Sequence, residues 1–335
     1  MTRLLTIVDA APTPLPWPEL ASELQALGMR WVDPEGPGLS RHGGAGPSDH
    51  KAVTLGGETV MVPIFTHASG DSPFWAEVRA GGNSAVLHRG SARVAEIGFP
   101  RAPRFYAFAT AEGIPYWKIA TLHARDVLAT TVLQTCTRYG NRSTSCQFCA
   151  IGQSLAKKAT IAEKTPAMLA EVARAARDLD GVTHVVLTTG TPATPDRGAS
   201  VLVDATRAIV AASGLPVQAQ CEPPADFAWF DKLAAAGVKS LGMHLEAVTE
   251  RVRREIMPGK AEVPISVYFE AFRAAVRVFG RGQVSTYVLA GLGDTEAEIL
   301  ECCARLVDVG VYPFVVPFVP IAGTPLEHHA PPPPA

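Results

Sequence analysis

The stretch Ala129-Thr-Thr-Val-Leu-Gln-Thr135 runs straight into Cys136-Thr-Arg-Tyr-Gly-Asn-Arg-Ser-Thr-Ser-Cys146-Gln-Phe-Cys149-Ala150. An apolar run of strand length therefore ends in three thiols. A strand without polar alternation is expected in a parallel sheet covered on both faces. Three thiolates are one short of a closed four-ligand site, and a metal or cluster held by three protein ligands keeps one position open for chemistry. The competing reading is a structural zinc site completed by Cys221 or a histidine.

Working outward, apolar runs and amphipathic runs alternate to the end of the chain. Thr165-Pro166 reads as a helix start, with an N-cap and then proline at the first helical position. Met168, Leu169, Val172, Ala175, Ala176 and Leu179 follow at helical spacing. Strands are predicted at His184–Thr189, Pro216–Cys221, Val238–Leu245, Gln283–Ala290 and Val311–Phe318. Helices are predicted at Val201–Ser213, Asp226–Ala236, Thr249–Ile256, Ser266–Phe279 and from Thr295-x-x-Glu298, a capping box, to Val309. Counting Ala129–Thr135, six strands alternate with helices, the pattern of a parallel sheet with right-handed crossovers. The expected fold is α/β, a partial (β/α)6 TIM-like barrel over 126–327, with a doubly wound sheet as the alternative.

Residues 1–125 break this rhythm. Pro18–Leu27 reads as helical, and Thr59–Phe65, Ser84–His88 and Ala92–Ile97 as short strands. This predicts an N-terminal α+β domain or elaboration. Gly36–Pro47 is a Gly-rich loop carrying Arg41 and His42, read as a flexible loop or lid rather than a phosphate cradle. Residues 328–335 read as a disordered Pro-rich tail.

Composition bounds the function. The 335 residues are 47% hydrophobic and 19% charged with net charge −2, which predicts no broad nucleic-acid surface. The apolar run Val311–Ala322 is broken by Pro313, Pro317 and Pro320, so no membrane span is expected. Six cysteines, three of them clustered, point to a reducing cytoplasmic setting rather than a disulfide scaffold.

The unusual polar residues gather after the predicted strands, where parallel α/β barrels place their chemistry. Thr189-Gly190-Thr191 follows the second strand, Cys221-Glu222 the third, and His244-Leu245-Glu246 ends the fourth. Gly291-Leu292-Gly293-Asp294 follows the fifth, and Pro320-Ile321-Ala322-Gly323-Thr324-Pro325-Leu326 the sixth.

The Cys-x2-Cys step with Phe148 before its last cysteine, together with this ordered series, resembles the radical S-adenosylmethionine (radical SAM) superfamily. The last two segments look like its biotin synthase and lipoyl synthase branch. The stretch from Leu133 through Cys149-Ala-Ile-Gly-x-Ser-Leu155 is similar to an uncharacterised group encoded near nitrilases. The spacing here is C-x9-C-x2-C rather than the usual C-x3-C-x2-C, and the extra polar residues are expected to bulge outward.

The resemblance implies a [4Fe-4S] cluster on Cys136, Cys146 and Cys149. It implies that S-adenosylmethionine is bound through its amino and carboxylate groups at the open iron and cleaved to a 5′-deoxyadenosyl radical. It also implies hydrogen abstraction from a small-molecule substrate and a reducing partner such as flavodoxin or ferredoxin. The reaction that follows is left open among oxidoreductase, lyase and transferase chemistry. Phe148, Thr189, Gly190, Thr191, His244, Glu246, Arg254, Gly291, Pro320 and Ile321 are the expected cofactor contacts. Gly190 would admit the methionyl amine, and Arg254 would pair with the carboxylate, with Arg251 and Arg253 as competitors for that contact. Cys221 and Glu222 are the candidate catalytic groups, with Cys221 balanced between core packing and a substrate-facing thiol. Cys302 and Cys303 are read as helix packing.

Overall fold

The computed structural model describes residues 17–32, 50–79, 82–123 and 125–333. The Gly36–Pro47 loop lies outside them. The first part of the chain forms helix α1 (Trp17–Leu27), strands β1 (Arg30–Val32), β2 (His50–Leu55) and β3 (Glu58–Pro63), and helix α2 (His67–Gly70). Strands β4 (Phe74–Val78), β5 (Ser84–Arg89) and β6 (Ala92–Gly98) complete it. They make a six-stranded sheet in the order β1-β4-β5-β6-β2-β3, antiparallel except for the β1–β4 pair. Leu20 and Leu24 of α1 bury against Val53, Val62, Phe74 and Leu87 in a core of their own. The sequence patterns showed α1, β3, β5 and β6; β1, β2 and β4 are additions.

A short helix α3 (Tyr116–Ile119) leads into β7 (Thr121–His123) and β8 (Val127–Thr131). Then come α4 (Ile151–Ala156), α5 (Pro166–Asp180), β9 (His184–Thr188), α6 (Ala199–Ser213), β10 (Val217–Gln220), α7 (Trp229–Ala236) and β11 (Val238–Gly242). The chain continues through α8 (Glu250–Ile256), α9 (Pro258–Ala261), α10 (Ile265–Phe279), β12 (Val284–Ala290), α11 (Glu296–Asp308) and β13 (Val311–Pro317). The predicted caps form. Thr165 Oγ1 accepts from the Met168 N–H, and Thr295 and Glu298 make a reciprocal capping box.

The second sheet runs β13-β12-β11-β10-β9-β8-β7. From β8 to β13 the strands are parallel and in strict chain order. A doubly wound sheet must reverse its order at a switch point; this one never does, so right-handed crossovers put every helix on one face. The result is a curled (β/α)6 half-barrel, and the doubly wound alternative is set aside. Strand β7 was not anticipated; it pairs antiparallel with β8 and covers the first edge.

Side chains alternate across this sheet. Val185, Leu187, Val217, Ala219, Leu241, Val284 and Val288 join the buried helices in the main core. Their neighbours Gln218, Gln220, His244 and Tyr287 are half-buried on the opposite, concave side.

At the far edge, Phe318 N–H donates to Ala290 O on β12 (2.8 Å). By alternation, residues 313, 315 and 317 turn their backbone nitrogens away from β12, and two of these are prolines with no N–H to offer. This edge offers little to another strand. Among the described residues no helix follows β13, and Val315 on it is 47% exposed, as are Leu300 and Val307 of α11 at 61% and 51%.

The C-terminal segment corrects an expectation. Residues 328–333 are not a free tail. His329 Nε2 donates to Gly291 O at 2.8 Å, and a Cβ at position 291 would meet the Pro332 ring at 2.9 Å.

Candidate active site

Strand β8 stops at Thr131, four residues earlier than the sequence pattern predicted. The chain then crosses the sheet's C-terminal rim, with Val132 N–H on Thr188 O and Gln134 N–H on Ala162 O (both 2.8 Å). This brings Cys136 to the strand ends. The ten-residue interval to Cys146 does not simply bulge outward. Gly140, Asn141 and Ser143 are exposed, but Arg138 turns inward and forms a buried ion pair with Glu222 at the end of β10. Thr144 and Ser145 hydroxyls donate to Arg138 O (3.0 and 2.9 Å) and close the loop on itself.

The opposite flank of the loop rests on α8 and α9. Gln147 N–H donates to Ile256 O (2.9 Å), and Gly259 N–H to Thr144 O (3.1 Å). A Cβ on residue 259 would lie 2.5 Å from Thr144 O, so only glycine permits this approach. A small apolar cluster on the rim, including Ala247, Val252, Met257, Leu292 and Phe318, has Cys146 and Phe148 packed against it. The structure thus brings the cysteine loop together with the ends of the fourth, fifth and sixth strands.

Gly190 is required by packing against the cysteine loop. Its N–H donates to Leu133 O (2.8 Å), and a Cβ there would run into Thr135 O and Ile151 Cδ1. The glycine lets the second strand end press on the cysteine loop. Thr191 Oγ1 donates to Glu222 Oε1 (2.7 Å), and its carbonyl accepts from Thr137 N–H (2.8 Å). Thr189 turns its hydroxyl back to Gly190 O (2.8 Å).

Glu246 carries the sharpest local feature. Its φ is +64°, left-handed backbone that a non-glycine residue adopts at a cost. The conformation is held by Glu246 N–H on Tyr287 O (2.9 Å) and Leu289 N–H on Glu246 O (2.8 Å). It points the carboxylate at Lys260, whose Nζ lies 2.6 Å from Oε2.

Lys260, which the sequence reading did not single out, is the cation beside Glu246. Arg254 is exposed on α8. Arg251 reaches Gly293 O and Glu298. Arg253, fully buried, donates to the carbonyls of Leu245 (2.7 Å), Lys260 (3.2 Å) and Val263 (3.1 Å). It therefore holds the backbone of Lys260 in position. The only hint in the sequence is Pro258-Gly259-Lys260, which places a lone basic residue just beyond α8.

The charges are closely coupled. Burial alone would lower the Lys260 pKa, but the carboxylate of Glu246, followed by Tyr268 and Glu222, holds it above the ordinary range. Burial pushes Glu222 upward, yet Lys260 and Arg138 outweigh it and keep the carboxyl ionised. Burial pushes the Cys149 thiol up to about 11 and raises Cys146 well above its usual value, where Glu246 adds to the effect. Thiols of this kind stay protonated until a metal displaces the proton.

His244 accepts from the Tyr287 N–H at Nδ1 (3.2 Å) and meets that ring edge-on. Burial, then Lys260, lowers its pKa to about 3, so it is neutral with its proton on Nε2. Both His244 Nε2 and Glu222 Oε2 are buried with no protein partner. A donor and an acceptor are thus left unpaired at this place.

Cys221 faces the other way. It is 7% exposed within the main core, and burial pushes its thiol up to about 12. Gly291 is taken up by His329 and Pro332, as above. Pro320 is buried, and Ile321 O accepts from Thr324 Oγ1 (2.7 Å) in the turn that sets Gly323 beside Gln153 of α4. Asp294 accepts from Val248 N–H, Thr249 N–H and Thr249 Oγ1 (2.7, 3.1 and 2.6 Å), joining the fifth strand end to the fourth.

Arg138 and Lys260 lie close enough to the cysteine thiols to offset the charge that three thiolate ligands would bring.

The chain is 32% identical over 120 residues to bacteriochlorophyllide c C-7(1)-hydroxylase of Chlorobaculum limnaeum, an alignment covering 35% of this chain and 30% of the relative. The solved structure of methylornithine synthase (PylB) superposes with a TM-score of 0.45 at 18% identity, over 59% of this chain and 54% of that one. A radical SAM methyltransferase from Sphaerobacter thermophilus gives 0.46 at 18% identity, over 76% and 69%. The chain thus matches under a third of the curated relative's length. A profile of the Radical SAM superfamily matches residues 134–306, more than half of the chain and the whole run from the cysteine loop to α11, and the chain belongs to that superfamily.

Proposed function

We propose that this protein is a radical SAM enzyme that cleaves S-adenosylmethionine reductively and abstracts hydrogen from a small-molecule substrate. Cys136, Cys146 and Cys149 would hold the [4Fe-4S] cluster. The observation that carries the reading is the meeting of these three thiols with the Glu246–Lys260 pair at one rim of the half-barrel. When bound, the cluster supplies the electron that breaks a carbon–sulfur bond of S-adenosylmethionine and releases the 5′-deoxyadenosyl radical.

The chain's own part is binding, orientation and exclusion of water. Lys260 offers its ammonium to a carboxylate. Glu246 accepts hydroxyl or ammonium protons. His244 Nε2–H and Glu222 Oε2 fix polar groups deeper on the concave side. The packed rim of Phe148, Ala247, Met257, Leu292 and Phe318 keeps water from the cysteine loop. A reducing partner such as flavodoxin or ferredoxin would supply the electron. Among the described residues no helix is long and apolar enough to cross a membrane. The likeness to the nitrilase-associated group rests on the stretch around Leu133–Leu155 and gives the proposal its finer form.

Anaerobic reconstitution with iron and sulfide tests the reading. The expected result is a brown protein with about four irons per chain that forms 5′-deoxyadenosine from S-adenosylmethionine and dithionite. Cys146→Ala should lose iron and product together. A colourless protein carrying one zinc, or turnover retained by Cys146→Ala, would overturn it in favour of a zinc-stabilised binding barrel.

A further inference from the structure

A second constellation of metal-ligating groups lies outside the site described above. His67 opens α2 in the N-terminal part, and Glu327 and His328 follow the turn after β13, 260 residues along the chain. His67 Nε2 lies 3.7 Å from Glu327 Oε2, and His328 Nε2 lies 3.6 Å from Glu327 Oε1. One ligand atom from each residue falls within 4.8 Å of the other two, the only such group of three among the described residues. The two imidazoles face one another with centroids 4.8 Å apart at 41°.

We propose that His67, Glu327 and His328 bind one divalent transition ion of the zinc type, and that the ion fastens the N-terminal part to the segment after β13. Two imidazoles and one carboxylate are the donor set that borderline ions take, leaving a fourth position for water. Bonds of ~2.0–2.1 Å on a tetrahedron place donor atoms roughly 3.3–3.4 Å apart. The observed separations need to close by only a few tenths of an ångström up to about 1.4 Å, which side-chain rotation can supply. The histidine side chains are 58% and 75% exposed, so they are free to make that adjustment.

One corner of the site is already fixed. Gly323 N–H donates to Glu327 Oε2 at 2.6 Å and orients the carboxylate, the kind of outer contact that tunes metal ligands. Gly323 has φ +81°, and a Cβ there would meet the Gln153 amide at 2.5 Å, so its own place is set by α4. A divalent cation between the three groups would use one ring nitrogen of each histidine and a carboxylate oxygen at once.

The test uses the full chain with its iron cluster loaded anaerobically, so that zinc cannot occupy the cysteines. The protein is incubated with zinc chloride and gel-filtered, and zinc and iron are counted in the same sample. Wild type should retain one zinc per chain more than the His67→Ala, His328→Ala double variant, with equal iron in both. Its thermal midpoint should rise with added zinc while that of the double variant stays still. Glu327→Gln should weaken zinc retention at least tenfold, and because it keeps the side chain's size it guards against a folding artefact. Equal zinc in wild type and the double variant, or a zinc-induced shift that survives in both variants, would overturn the proposal.

Discussion

Lys260 Nζ stands 2.6 Å from Glu246 Oε2, and the two residues are delivered by separate means: a left-handed backbone at Glu246 and the short helix α9 that carries Lys260. Removing either partner leaves the other charged and buried. Lys260→Met should cost about 3–5 kcal/mol of stability, read by denaturant unfolding of the iron-free chain. It should also lower 5′-deoxyadenosine formation by at least ~10². A variant with wild-type stability and turnover would remove Lys260 from the site.

The contact of Gly190 with the cysteine loop predicts a defect in iron retention. Gly190→Ala forces its methyl into Thr135 O and Ile151. Overpacking of this kind costs about 1–3 kcal/mol, and here the displaced backbone carries Cys136. Iron per chain after reconstitution should fall well below wild type, while the circular dichroism of the iron-free chain stays close to normal. Full iron loading would contradict this.

Arg138 and Glu222 form the buried link between the long cysteine interval and β10. Arg138→Met and Glu222→Gln should each be strongly destabilising, by about 3–5 kcal/mol where a charge is left alone. The Arg138→Met, Glu222→Met double variant should be less damaged than the sum of the single Met variants. A double-mutant cycle measures this, and strict additivity would show that the pair is not coupled.

Lys164 gives a pH prediction. It is 2% exposed, with Gln134 Oε1 3.4 Å from its Nζ, and burial pushes its ammonium down to about 7. The unfolded chain keeps the ordinary lysine value, ~10.4. Between these values the unfolded state binds the extra proton, so this residue makes stability rise with pH from about 7 to ~10. Below that window both states are protonated and the burial cost is fully felt. Lys164→Met should therefore stabilise the protein at pH 6.5 by a few kcal/mol, and the gain should shrink toward pH 9.5. A gain independent of pH would refute the assignment.

The barrel could be read because its strands are short apolar runs separated by capped helices, and Thr165, Gly181 and Thr295 mark the helix ends as local chemistry predicts. The N-terminal sheet could be read only in part. His50–Leu55 and Phe74–Val78 mix charged and apolar residues, and their strand state comes from pairing with distant segments. At the site, residues at strand ends were visible from the pattern of the strands themselves. Lys260 was not, because its place is set by Arg253 holding its carbonyl and by Gly259 pressing on Thr144. Counting forward along α8 led instead to Arg254, which the helix turns to solvent.

The loop between Cys136 and Cys149 is held by Arg138 on Glu222, Gln147 on Ile256, Gly259 on Thr144 and Gly190 on Leu133, and none of these bonds involves sulfur. The shape of this loop thus rests on the polypeptide's own contacts, and an iron-free chain is expected to keep it.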